Sequence, residues 1–333
     1  MEGAHPLILK RLSEINFDKN TGYGLDKYSL SAAEKIRKAC DAPDAQIHFL
    51  VGGTQTNAIV IDSILRHNEG VIAAETGHIN VHEAGAIEAC GHRVMPIKGV
   101  EGKLSPESLE VFLKDFYSAE DGYEHIVVPK MVYISQPTEY GTIYFLQELN
   151  EIRRICNRYS LKLFIDGARM GYGLTAPGND VTLVDIARIS DVFYIGGTKV
   201  GAMLGEAVVI TDKDIHITRG SIKNRGAMVA KGWIIGIQFD TLFSDGLYEK
   251  IAKNGVDQAM RLRRALIEKG YKLFIDSPTN QLFVTLENSQ IASLAEKVGF
   301  NIIEKADENH TVVRFVTSWG TTSEQIGLLI SAL

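Results

Sequence analysis

From about residue 30 to residue 240, short apolar runs alternate with amphipathic helical stretches. IHFLV (47–51) leads into Gly52, Gly53 and Thr54, and VIAA (71–74) into Glu75, Thr76, Gly77 and His78. HIVVPKMVYIS (125–135) precedes Gln136, Pro137, Thr138 and Glu139, and LKLFI (161–165) ends at Asp166. DVFYI (191–195) runs into Gly196, Gly197, Thr198 and Lys199, and EAVVI (206–210) follows. This alternation predicts βα units and a mainly parallel sheet, an α/β fold. Ser31-x-x-Glu34 reads as a capping box opening one helix. Glycine and polar residues recur where the runs stop. Ligands of open α/β sheets bind outside the carboxyl ends of the strands, so these ends predict one shared site.

Beyond about residue 240 the pattern changes. A long helical stretch near 246–269 carries Ile251, Ala252, Val256, Met260, Leu262 and Leu266. Strand runs LFVTLE (282–287) and TVVRFV (311–316) follow, with helices near 289–298 and 323–332. The expected division is an N-terminal segment (1–20) packing on the small domain, a large domain (21–240) and a smaller α+β C-terminal domain (241–333).

Composition narrows the class. The 333 residues suit about two domains, and 45% hydrophobic with 23% charged residues is ordinary globular usage. With 35 Lys+Arg against 41 Asp+Glu and no long basic run, the balance argues against nucleic-acid binding. No apolar stretch reaches the ~20 residues of a membrane span, and MEGAHPLILKRL does not read as a secretory signal. Cys40, Cys90 and Cys156 are odd in number and irregular in spacing, which predicts reduced thiols in a cytoplasmic protein.

Candidate chemistry sits at the strand ends. Lys199 follows a buried run in GGTKVG, where glycines let the backbone approach a ligand. A lysine there can have a lowered pKa and form a Schiff base with a carbonyl, although most lone lysines are solvated. Asp166 in FIDGAR needs a partner. That partner is either Arg169 or the pyridinium nitrogen of pyridoxal 5′-phosphate (PLP). VGGTQTN (51–57) offers uncapped amides and a helix dipole to a phosphate but is not a P-loop. His78 could stack on a flat ring or act as a base. His78 and His82 have helical i, i+4 spacing, yet HINVH lacks the Glu of a zincin, so no metal is expected. Arg314, in TVVRFV, could grip a carboxylate through two hydrogen bonds or form a surface ion pair.

In this order the residues resemble the PLP-dependent L-threonine aldolases of the fold-type I aminotransferase superfamily. The resemblance rests on GYGLD (22–26), GGTQTN (52–57), HINVHEAGA (78–86), FIDGARM (164–170), GGTKVGAMLGEAVV (196–209) and KNRGAM (223–228). It implies PLP as cofactor, bound in the large domain with Lys199 as Schiff-base lysine and Asp166 on the ring nitrogen. It further implies Gly53, Thr54 and Thr198 at the phosphate, His78 over the ring, and Arg169 and Arg314 on the substrate carboxylate. Tyr23, with Lys223 and Arg225, would face the site of a neighbouring subunit in a homodimer or homotetramer.

Two departures stand out. Many members carry a second His in an Asn-Thr-His-Asn stretch, where this chain has Pro137-Thr138-Glu139-Tyr140. Glu139 thus joins His78 and a bound water as candidate acceptor of the substrate's hydroxyl proton. Family chains also usually begin with an extra strand, whereas this sequence opens Glu2-Gly3-Ala4-His5-Pro6. Either a carboxylate contact is missing or the recorded start is internal. The expected reaction cleaves a β-hydroxy-α-amino acid to glycine and an aldehyde. The rivals are another PLP-dependent lyase, aminotransferase or racemase, a non-catalytic PLP-binding homologue, and a nucleotide-binding α/β protein.

Overall fold

A computed structural model describes residues 2–118, 123 and 125–333. Seven strands form the larger sheet: β1 (Gln46–Leu50), β2 (Glu69–Ala74), β3 (Arg93–Ile97), β4 (Val128–Ser135), β5 (Lys162–Asp166), β6 (Val192–Gly196) and β7 (Glu206–Ile210). Their spatial order is β1-β7-β6-β5-β4-β2-β3. Every neighbouring pair is parallel except those made by β7, which runs antiparallel to both β1 and β6. The carboxyl ends of β1, β2, β4, β5 and β6 therefore share one edge, and β7 brings its amino end to it.

Helices cover both faces, which is why β6 reads as an unbroken apolar run and β7 as one after its first residue, Glu206: all their residues are buried. Side chains alternate between two cores. Val132, Ile134, Leu163, Ile165, Phe193 and Ile195 enter one. Met131, Tyr133, Phe164, Val192 and Tyr194 enter the other.

A four-stranded antiparallel sheet follows, from β8 (Lys272–Ile275), β9 (Gln281–Glu287), β10 (Asn301–Lys305) and β11 (His310–Val316), in the order β10-β11-β9-β8. Helices Leu247–Glu268 and Ser323–Ala332 pack Leu262, Leu266, Ile326 and Leu329 against Leu282, Val284, Val313 and Phe315. The first half of the long helix, with Tyr248, Ile251 and Ala252, belongs to a core of the larger sheet. The N-terminal helix Pro6–Glu14 lies against helix Trp233–Leu242, where Arg11 meets Asp240 at 2.5 Å, while the ring of His5 stands 5.4 Å from that of Trp319.

One helix boundary differs from the sequence expectation. The helix over Lys27–Ala39 is capped by Asp26, whose Oδ1 accepts from the N–H groups of Tyr28 and Ser29. Ser31 lies one turn inside and donates instead to Asp240 at 2.6 Å. A carboxylate one turn upstream is the stronger acceptor for the first amides, and its charge suits the helix dipole. Cys40 and Cys156 are buried, and none of the three cysteines is bonded to another. Among the described residues no helix is long and apolar enough to cross a membrane.

Candidate active site

Asp166 is the last residue of β5 and points to the same side as Phe164, two positions earlier. Tyr133 pairs in register with Phe164 on one neighbouring strand, and Tyr194 lies on the other. Both phenols donate to the Asp166 carboxylate, Tyr133 to Oδ2 and Tyr194 to Oδ1, each at 2.5 Å. The N–H of Ala168 adds a bond to Oδ1 at 2.9 Å and the amide of Asn57 one to Oδ2 at 3.2 Å. Burial, together with the Asp166 charge, pushes both phenols well above their usual pKa, so they stay donors. The alternative partner, Arg169, makes no hydrogen bond to Asp166. The two tyrosines, each one strand away, fill that role.

Asn57 carries the network further. Its amide also donates to Glu83 Oε1 at 2.7 Å, and the same oxygen faces His78 Nδ1 at 2.8 Å. A carboxylate only accepts, so the His78 proton sits on Nδ1 and the ring orientation is fixed. Glu83 and Asn57 lie 5 and 21 residues from His78 along the chain, and no spacing announces that Glu83 bonds both His78 and Asn57 in space.

Lys199 follows β6 through Gly196 and Gly197. A Cβ on Gly196 would stand 2.3 Å from the carbonyl oxygen of Ala168, so the close crossing of the β5 and β6 ends needs glycine. Tyr172 holds the Lys199 carbonyl at 2.7 Å. Burial, and next the Arg169 charge, lower the Lys199 amine to a pKa of about 8.

Helix Gly53–Ile64 begins at Gly52 with no side-chain cap, leaving its first amides directed at the cavity. A Cβ on Gly53 would meet the Tyr194 hydroxyl at 3.2 Å. Thr198 stands opposite, its hydroxyl accepting from the N–H of Gly205 at 2.9 Å.

These groups line one cavity of about 210 Å³, which brings together Gly53, Thr54, His78, Glu139, Asp166, Arg169, Thr198 and Lys199. A wider vestibule adjoins it and adds Arg314, His82, Tyr140 and Ile302. Glu139 Oε1 accepts from the His78 N–H at 2.9 Å and from the Ser135 hydroxyl at 2.7 Å. Burial raises its carboxyl above the usual glutamate range. Among the described residues Arg169 makes no ion pair or side-chain hydrogen bond, and burial and then the nearby Arg314 lower its pKa. Arg314 is no surface ion pair either: it donates to Gln281 and Asn301, each at 3.1 Å. Gln281 in turn donates to the Glu139 carbonyl at 3.3 Å.

Tyr23 is not brought to this cavity. It lines a separate one with Arg219 and His48, and Lys223 lies 5.3 Å above its ring. Arg225 pairs with Asp62 at 2.6 Å.

The family model described as "Beta-eliminating lyase" matches residues 5–308. The chain belongs to the beta-eliminating lyase family. Among solved structures, the Leishmania major threonine aldolase is 42% identical, with TM-score 0.96 over 99% of this chain and 95% of that one. The low specificity L-threonine aldolase of a Pseudomonas strain is 26% identical over 329 residues, covering 97% of this chain and 92% of its own length. A putative L-allo-threonine aldolase from Listeria monocytogenes, 17% identical with TM-score 0.76 over 100% of this chain and 94% of that one, shares the fold. This beta-eliminating lyase family member has the fold of type I PLP enzymes, PLP as cofactor and the reaction class of a carbon–carbon lyase.

The residues fit that cofactor. Asp166 is a buried carboxylate with four fixed donors, as a pyridinium partner requires. Lys199 is an amine of lowered pKa in the same cavity. The uncapped start of helix Gly53–Ile64 suits a phosphate, and the glycine there leaves room that a Cβ would take from it.

Proposed function

We propose that this chain cleaves L-threonine, L-allo-threonine or related β-hydroxy-α-amino acids to glycine and an aldehyde, with Lys199, Asp166, Arg169, Arg314, His78 and Glu139 carrying the chemistry. The observation that supports it most is the Arg169 guanidinium, half-buried in the cavity wall and without a partner among the described residues, beside an amine of lowered pKa. An unpaired, half-buried cation with Arg314 nearby calls for an anion. A substrate with a carboxylate and an amine answers both features.

PLP, when bound, supplies a carbonyl for amines and a ring that withdraws electrons from the bond to be broken. Asp166 would hold the ring nitrogen, and the first amides of helix Gly53–Ile64, at Gly53 and Thr54, would take the phosphate with Thr198 opposite. His78, held by Glu83, would pack against the ring. Arg169 and Arg314 would grip the substrate carboxylate and so fix the rotation about its Cα. Glu139 then accepts the β-hydroxyl proton: Oε1 is occupied by His78 and Ser135, and Oε2 is left for the substrate. Tyr23, away from the cavity of its own chain, serves the site of a second copy in a homodimer or homotetramer.

The test is purification with PLP, followed by addition of each threonine epimer with aldehyde and glycine measured together. Equal amounts of the two products are expected. Pyruvate, a keto acid or the opposite enantiomer would move the reading to another PLP reaction.

A further inference from the structure

Glu206 is the first residue of β7. Because β7 runs antiparallel to β6, Glu206 pairs with Gly196, three residues before Lys199. Its residue is only 3% exposed, and it lines the same cavity as Lys199. Oε2 accepts from the N–H of Gly197 at 3.1 Å, and no lysine or arginine ion pair reaches the carboxyl among the described residues. A buried acid without a close cation tends to keep its proton. A buried amine tends to lose one. The two line the same cavity.

We propose that Glu206 is the proton partner of Lys199, a positioning residue that shares one proton with it. When the lysine must be a neutral amine, the carboxyl holds the proton. When the amine becomes an ammonium, the carboxyl becomes a carboxylate, and the net charge of the pair does not change. The coupling acts through the field across the cavity wall and needs no direct contact. The inference rests on the reading that Lys199 is the lysine that carries the cofactor. The direction of both shifts agrees. Burial is the largest cause of both shifts, Glu206 upward and Lys199 downward; with each charge opposing the other's shift, both groups come out at about 8. Asp166 also acts on both groups and Arg169 on Lys199, so the pair lies in the field of the whole cavity.

The test uses the full chain freed of cofactor. Lys199 is acylated with acetic anhydride across the pH range, and its modification is read by peptide mass spectrometry. In the unaltered chain the pH curve is expected to be broader than a single-group titration, because two groups share the proton. Glu206→Gln removes the negative charge that holds the ammonium. The midpoint should then move to lower pH by roughly one unit or more and the curve should sharpen to a single group. Glu206→Asp should stay near the original midpoint. A single-group curve in the unaltered chain would overturn the proposal, as would a Glu206→Gln midpoint that is unmoved or higher. The unaltered chain decides the matter even if a variant does not fold. The parent reading fails separately, through the absence of a visible cofactor band with PLP or through a band that survives Lys199→Ala.

Discussion

The backbone N–H of His78 donates to Oε1 of Glu139 at 2.9 Å, which ties the end of β2 to the loop after β4. The imidazole and the carboxyl are thereby set side by side over one cavity. In the proposed role of proton acceptor Glu139 must be ionised, and burial raises its carboxyl above the usual range. Turnover is therefore expected to rise with pH through that raised value. Glu139→Gln should lower kcat about 100- to 1000-fold, keep the cofactor band and erase the acid limb of the kcat/KM profile. Full activity in this variant would hand the role to His78 or a water.

Arg169 is held in the cofactor-free chain at a cost, since a half-buried, unpaired cation lies in the field of a second one, Arg314. Arg169→Gln should raise the stability of the cofactor-free chain by about 1 kcal/mol, measured by urea unfolding. The same change should cost about 100-fold in kcat/KM, chiefly through KM, as two charge-assisted hydrogen bonds to the carboxylate are lost.

Lys199→Ala should abolish turnover and remove the visible cofactor band. Asp166→Ala should lower kcat by several orders of magnitude, because nothing then keeps the ring nitrogen protonated. Single-turnover measurements on the two variants separate loss of the cofactor link from loss of ring activation.

Asp240 anchors the N-terminal helix. Burial pushes its carboxyl up, but hydrogen bonds from Lys35, Ser31 and Arg11 outweigh this and its pKa lies below the usual aspartate value. A depressed folded-state pKa stabilises fully above the unfolded value of about 3.9 and loses that stabilisation as pH falls toward the folded value. Asp240→Asn is expected to cost about 2 kcal/mol at pH 7. The gap to the parent chain should hold down to about pH 4 and narrow below it, as read by urea unfolding at each pH.

The strand ends that build the cavity were legible because parallel strands buried on both faces leave continuous apolar runs, each stopping at a polar residue. Strands β3, β8 and β10 escaped that reading. β3 is an edge strand containing Pro96, and β8 and β10 are largely exposed, so their composition is mixed. The groups that tune the site were hidden for a different reason. Tyr133 and Tyr194 sit inside apolar runs and read as core, and only the register across β4, β5 and β6 turns their hydroxyls toward Asp166. Glu206 looks like the polar start of a strand until the reversed direction of β7 brings it to the cavity that Lys199 lines. Asn57 lies in helix Gly53–Ile64 and Glu83 in the loop between His78–Val81 and Ala86–Ala89, and they meet only when the chain is folded.

Gln281, on β9, touches both halves of the site: its carbonyl oxygen accepts from Arg314 and its amide reaches the Glu139 backbone. In the proposed function Gln281 thus links the residue that grips the carboxylate to the backbone of the residue that accepts the hydroxyl proton, and would set the spacing between them. Such a gauge would check the span from carboxylate to hydroxyl. An amino acid lengthened by one methylene before its hydroxyl is expected to be refused, and competition assays with such homologues would read the gauge directly.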